Sequence, residues 1–262
     1  MFSVADHLIH VEGEALPRDV DASSVRALLD AGVRCRAPVC GAVYGTLLND
    51  RNALEALGDA ANAPPYKAPP RAPILYLKPR NTFAGHRAQV IVPSDEGVQA
   101  GASLGIVIGR TAARVAASEA FDCIAGYTLV ADLCVPHASV YRPSVRLRAR
   151  DNFCVVGPAV LARRHVADPD DLAITVNIAG RPAFRASTAT TVRGVAQLLA
   201  EVTDFMTLCA GDVLTLGVPH GAPIVHAGER ATLAIGDWAS LAIDFIGPDH
   251  RTLAHRAQGA QA

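Results

Sequence analysis

From residue 74 onward the chain is a series of short apolar runs punctuated by Gly, Pro and Asp, which is the pattern of strands joined by turns. Ile74–Leu77, Leu104–Ile108, Gly126–Val130 and Val213–Leu216 are continuous runs of this kind. Residues 172–178 alternate instead, with Leu172, Ile174, Val176 and Ile178 on one side and Ala173, Thr175 and Asn177 on the other. Ala231–Ile235 and Trp238–Ile246 flank Gly236-Asp237, which predicts a two-residue hairpin whose Leu241, Ile243 and Phe245 share a face. One segment has helical spacing: Val192, Val195, Leu199, Val202 and Met206 predict a helix over 191–208. Strands and helices do not alternate regularly, which argues against a doubly wound α/β sheet. The pattern predicts a β-rich α+β fold.

The first 37 residues read as an appended segment. They hold a short helix over 21–31 with Ser23 or Ser24 as its cap, Val25, Leu28 and Leu29 on one face, and Gly32 as its stop. A further short helix is expected after Asn52, and the five prolines within 62–73 require a loop. The expected organisation is an extension over 1–37, one domain over 38–248 and a polar tail over 249–262.

Composition narrows the class. The 262 residues carry a formal net charge of -1, so neither nucleic acid nor an anionic membrane is the expected partner. Half the residues are hydrophobic, yet no run approaches the ~18 apolar residues of a spanning helix. With no basic-then-apolar leader behind Met1, a soluble cytoplasmic protein is expected. Charged residues make up 19%, below the roughly 25% usual for soluble domains, which suits a subunit with one face covered. The six cysteines form no C-x-x-C pair and are expected to be buried free thiols.

Four constellations could carry chemistry. Gly101-Ala102-Ser103-Leu104-Gly105 matches G-x-S-x-G, but the strand follows the serine where a nucleophile elbow needs it to precede. A serine esterase using Ser103 is therefore the minor reading. Asp132, Cys134 and His137 could ligate a metal, or could be a buried cysteine beside a loop histidine. His220 and His226 flank a Gly-Pro loop and read as surface residues. Arg142, Arg146, Arg148 and Arg150 alternate, so an extended backbone would place four guanidinium groups on one side. That face could clamp a dicarboxylate or simply protect a sheet edge.

An ordered series of segments resembles the fumarylacetoacetate hydrolase family over roughly residues 39–246. The landmarks are Leu48-Asn49, the run Tyr76 to Thr82, Leu104 to Gly109, Ile124 to Thr128 and Tyr141-Arg142-Pro143. Arg150 to Cys154, Phe205 to Leu208 and Gly211-Asp212 complete it. The PPYKAPP run and YRP…RDNFC are similar to the branch of isomerases and decarboxylases that degrade 4-hydroxyphenylacetate. The resemblance implies a mixed β-roll with a few helices, like the C-terminal domain of fumarylacetoacetase. It implies a small dicarboxylate substrate and a proton shift or loss of CO₂ through an enolate. It also implies a magnesium ion held by carboxylates.

The sequence departs from that pattern where the metal would bind. The family's Glu-x-Glu falls at Gly101 and Ser103, its third carboxylate at Asp132, its His at Ala53 and its Lys at Arg148. Its Thr-Gly-Thr-Pro reads Leu216-Gly217-Val218-Pro219. Magnesium is therefore expected to be absent or weakly bound, with Asp132 a remnant. The residues expected to act are Arg148, Lys78 and Asp151 in catalysis and Arg142, Asn81 and Arg150 in substrate binding. Two roles stay open: a subunit of an isomerase/decarboxylase, or a non-catalytic partner of a metal-competent paralogue. Either implies a homo- or hetero-oligomer.

Overall fold

The computed structural model describes residues 36–137, 139, 141 and 144–248. The helix expected over 21–31, Cys35, Arg142 and the tail lie outside these residues. The described chain folds as two packed sheets, mostly antiparallel. The first holds β1 (Val43–Leu47), β2 (Ile74–Lys78), β3 (Phe83–Ala84), β5 (Val98–Ile108), β6 (Ile124–Cys134), β7 (Cys154–Ala162), β10 (Val213–Thr215) and β11 (Ile224–Val225). Its order is β2-β1-β10-β5-β6-β7-β3, with β11 on β5. The second runs β4 (Ala88–Ile91), β13 (Ala239–Ile246), β12 (Arg230–Ile235), β8 (Ala173–Ile178) and β9 (Phe184–Ser187). This is the expected β-rich α+β class, a curled mixed sheet with few helices.

Burial explains why the two sheets read differently. The second sheet has one wet face, so β8, β12 and β13 keep strict alternation, with Ile174, Val176, Leu233, Leu241, Ile243 and Phe245 buried. The first sheet is covered on both faces. Its inner face joins the main core with Leu104, Ile106, Leu129 and Leu133. Its outer face forms a second cluster of Val43, Val107, Val130, Val156 and Val213. Strands buried on both sides are apolar throughout and carry no period-two signal. β5 and β6 are accordingly far longer than the runs that announced them.

Three local expectations need correction. The helix over 191–208 is shorter, Val195–Phe205, because Thr191 to Gly194 lie outside it and serve other partners. Val192 N–H bonds the Asn49 carbonyl, Arg193 N–H the Asn49 side chain, and Asp170 Oδ1 accepts from Val195 N–H at the helix start. The β12–β13 turn has three residues, since Ile235 pairs with Ala239, and Gly236 takes a positive φ of 54°. The five described cysteines are all unpaired, but only Cys123, Cys134 and Cys154 are buried; Cys40 and Cys209 are exposed. The short helix near Asn52 forms as α1 (Arg51–Leu57), capped by Asp50 Oδ1 on Ala53 N–H at 3.0 Å.

Candidate functional site

A cleft of ≈ 350 Å³ opens between α1, the Val218–Gly221 loop and the ends of β2, β5 and β6. Asn49 and Asp50 hold its walls together. The Asn49 amide donates to the carbonyls of Arg193 (2.9 Å) and Leu216 (2.8 Å), all within buried surroundings. Asp50 caps α1, accepts from His220 N–H at 3.2 Å and accepts from the Thr190 hydroxyl at 2.5 Å. The Leu48-Asn49 landmark is thus a structural knot joining three segments distant in sequence.

The floor is a buried ionic cluster. Asp132 lies on β6 directly opposite Gly101 on β5, and 2% of its surface is exposed. Lys78 Nζ sits 2.6 Å from Asp132 Oδ1. Its hydrogens point toward the carbonyls of Leu133 (2.8 Å), Phe153 (3.0 Å) and Arg148 (3.2 Å), so Oδ1 feels the charge without receiving a directed hydrogen bond. The Tyr76 hydroxyl donates to Asp132 Oδ2. Burial first, then the Asp132 charge, push the Tyr76 phenol well above its usual range, which keeps it a donor. Gly45 makes room for that ring, because a Cβ there would collide with it.

Arg148 stands over Tyr76, its guanidinium carbon 4.6 Å from the ring centroid and Nη1 3.9 Å from Asp132 Oδ1. Its Nε has no hydrogen-bond partner. The cluster therefore carries two cations against one carboxylate, with donor capacity left on the residue that lines the cleft.

Among the described residues, Arg146, Arg148 and Arg150 do not form the expected row. Residues Val145–Arg148 form a single helical turn, and on a helix side chains two apart point away from each other. Arg146 is exposed, Arg148 is buried at the cleft, and Arg150 is half-buried and does not line it. Asn81 and Asp151 are exposed and bond one another at 3.0 Å; Asn81 also donates to the Ala149 carbonyl at 3.1 Å. They brace the turn that carries Arg148. Lys78 lies behind Asp132, outside the cleft lining.

Ser103 is fully buried in mid-strand, its Oγ accepting from Gly217 N–H at 3.0 Å, which removes the nucleophile-elbow reading. Asp132 and Cys134 do share a strand face, and both line the cleft with His137. Their donors are engaged, however: Cys134 Sγ–H points to Gln99 Oε1 at 3.4 Å, and burial raises its thiol pKa. His137 Nδ1 lies 2.9 Å from the Val135 carbonyl and Nε2 lies 3.2 Å from Ser144 Oγ. Among the described residues no group of three or more His, Cys, Asp or Glu converges as a metal site. A Cβ at Gly101 would stand 2.6 and 2.7 Å from the two Val218 methyls and 2.9 Å from the Asp132 carbonyl. The space a longer residue would need at position 101 is filled by Val218.

Sequence reasoning missed the knot at Asp50 and the roles of Tyr76 and Gln99. Nothing in the spacing marks them, since each acts on a partner more than 30 residues away.

Comparison with known proteins gives the chain its family. A bifunctional isomerase/decarboxylase of 4-hydroxyphenylacetate degradation from Escherichia coli is 37% identical over 190 residues, covering 72% of this chain and 43% of that protein. The chain thus spans less than half the length of that relative. A 2-hydroxyhepta-2,4-diene-1,7-dioate isomerase from Mycobacterium marinum superimposes with a TM-score of 0.67 at 25% identity, covering 83% of this chain and 79% of that one. A maleylpyruvate hydrolase from Sphingobium sp. SYK-6, solved with manganese(II) and pyruvate, shares the fold with a TM-score of 0.67 at 24% identity, over 86% and 81% of the two chains. The model of the fumarylacetoacetate (FAA) hydrolase C-terminal domain matches residues 42–253, and with four-fifths of its length inside that match the chain belongs to the fumarylacetoacetate hydrolase family.

Proposed function

We propose that this chain is a subunit of an isomerase/decarboxylase of aromatic catabolism. Its substrate class is an unsaturated hydroxy- or oxo-dicarboxylate such as 2-hydroxyhepta-2,4-diene-1,7-dioate. Its own cleft contributes the isomerisation, a proton shift that needs no divalent cation. Decarboxylation of 5-carboxymethyl-2-oxo-hex-3-ene-1,7-dioate is assigned to a metal-competent partner module, consistent with the chain's matching less than half of the bifunctional relative.

The donor set does not fit the magnesium of the family. A hard cation wants six oxygens in near-octahedral array. Here one carboxylate faces the cleft, with Lys78 on one oxygen and the Tyr76 hydroxyl on the other, and Val218 closes the position opposite. No step is therefore routed through a metal.

The observation that carries the proposal is the cationic cluster itself. The Lys78–Asp132 pair is internally neutral, so the Arg148 charge remains for a substrate carboxylate or for the oxygen that becomes negative in the dienolate. A preorganised guanidinium in a partly dry cleft can stabilise that oxygen as an oxyanion site does. Tyr76 fixes the guanidinium plane from below, while Asn81 and Asp151 hold its turn from outside.

The test follows the ultraviolet absorbance of the dienol with this chain alone. Isomerisation is expected to survive chelator and to gain nothing from added magnesium, and Arg148→Ala is expected to raise KM and lower kcat/KM at least tenfold. Strict magnesium dependence would sink the proposal. Dicarboxylate binding without turnover would leave the chain as a binding subunit.

A further inference from the structure

A proton shift needs a group that can take a proton and return it, and the cleft's residues differ sharply in this respect. The Lys78 ammonium is committed to three carbonyls and Asp132. The Tyr76 hydroxyl donates to Asp132, and the Cys134 thiol donates to Gln99. His220 also lines the cleft, but its ring is exposed and only its backbone N–H is fixed, by Asp50. The position matching the family's histidine is Ala53, whose methyl cannot exchange a proton.

His137 is different, because its surroundings dictate its tautomer. A carbonyl oxygen only accepts, so the nitrogen 2.9 Å from Val135 O, Nδ1, carries the hydrogen. In the neutral ring Nε2 then holds a lone pair, and the Ser144 hydroxyl 3.2 Å away donates to it. The arrangement matches the logic of hydrolytic triads: a base whose far nitrogen is pinned by an acceptor and whose near nitrogen is presented to a hydroxyl. Ser144 also ties this base to the anion site. Its carbonyl accepts from Leu147 N–H (2.9 Å) and Arg148 N–H (3.0 Å), so the same residue sets the start of the turn that carries the guanidinium.

We propose that His137 is the proton-transfer group of this cleft and that Ser144 is its positioning residue; the proposal rests on the isomerisation reading above. With a substrate carboxylate or the 2-oxygen on Arg148, the dienol hydroxyl takes the place of the Ser144 hydroxyl on Nε2, whose lone pair then removes its proton as the C2 carbonyl forms. The π electrons move along the diene, leaving a C3=C4 double bond, and the imidazolium returns the proton to C5. The product is the 2-oxo-3-ene dicarboxylate, and no oxidant, reductant or co-reactant enters.

The test uses the full chain and two readouts, turnover of 2-hydroxyhepta-2,4-diene-1,7-dioate and calorimetric binding of heptanedioate, a saturated dicarboxylate that cannot react. His137→Gln is expected to lower kcat by about 10²–10⁴-fold while heptanedioate affinity stays within about threefold. Ser144→Ala is expected to lower kcat by roughly tenfold, with Ser144→Thr restoring most of it. The bound-ligand readout separates loss of chemistry from loss of fold. Unchanged kcat in His137→Gln, with wild-type turnover intact, overturns the assignment and leaves the isomerisation reading standing. Loss in His220→Gln but not in His137→Gln overturns it in favour of the other histidine. Absence of wild-type turnover overturns both.

Discussion

Replacing Lys78 by Met tests the ionic floor most directly, because it removes a charge and keeps nearly the same volume. At 2.6 Å the Lys78–Asp132 attraction is about 6 kcal/mol at an effective dielectric near 20. Desolvating the two ions costs several kcal/mol each, so the intact pair contributes little net stability. Breaking it is another matter. The variant leaves Asp132 Oδ1 with Arg148 at 3.9 Å as its nearest cation and removes the ammonium from three carbonyls, of which Phe153 O keeps the Leu133 N–H. Orphaning one member of a buried pair costs about 3–5 kcal/mol, and the carbonyls that lose the ammonium add to that loss. Equilibrium urea unfolding should show the loss as a lower midpoint at constant slope. Asp132→Asn should be costly alone, yet the double variant should fall at least about 2 kcal/mol short of the sum. Additivity within about 0.5 kcal/mol would refute the coupling and with it the idea that Lys78 acts through Asp132.

Three further outcomes are expected. Asn49→Ala orphans two carbonyls and one N–H in the buried knot and should cost about 3 kcal/mol in the same unfolding assay. His86 is 6% exposed and accepts from Ala242 N–H; burial first and Arg87 second lower its pKa to about 4. The unfolded chain therefore binds a proton near pH 6.5 that the fold refuses, so stability is constant above that value and falls as pH drops toward 4. The loss reaches about 3 kcal/mol, and a His86→Gln variant should show a flatter profile. Millimolar magnesium should leave the melting temperature unchanged, whereas a cation held at a hundred times its Kd would add about 2.7 kcal/mol.

What was legible in the sequence follows from which forces act locally. β8, β12 and β13 could be read because one wet face imposes alternation. β5 is longer than its apolar run because Gly101, Ser103 and Gly105 look like loop residues until Val218 and the neighbouring strands are seen to fill the space around the glycines. The single helical turn at Val145–Arg148 defeated the alternation argument: four residues carry no helical period, and the turn is held by Ser144 and by Asn81 from another segment. Asp132 and Arg148 were identifiable by motif. Lys78 was named as well, but the contacts that define the chemistry, Lys78 on Asp132 and Tyr76 against Asp132 and Arg148, span more than 50 residues and form only through the sheet.

The contact between Gly101 and Val218 also constrains which substitutions this cleft can accept. A side chain added at position 101 would meet the Val218 methyls at 2.6 and 2.7 Å, an overpacking that costs about 1–3 kcal/mol. Trimming Val218 first would instead open a void beside a bare glycine, with its own penalty. Either single step leads downhill in stability before any carboxylate could be of use. The two positions are therefore locked together by packing: neither accepts a change alone, and only a paired substitution would admit a longer side chain beside Asp132.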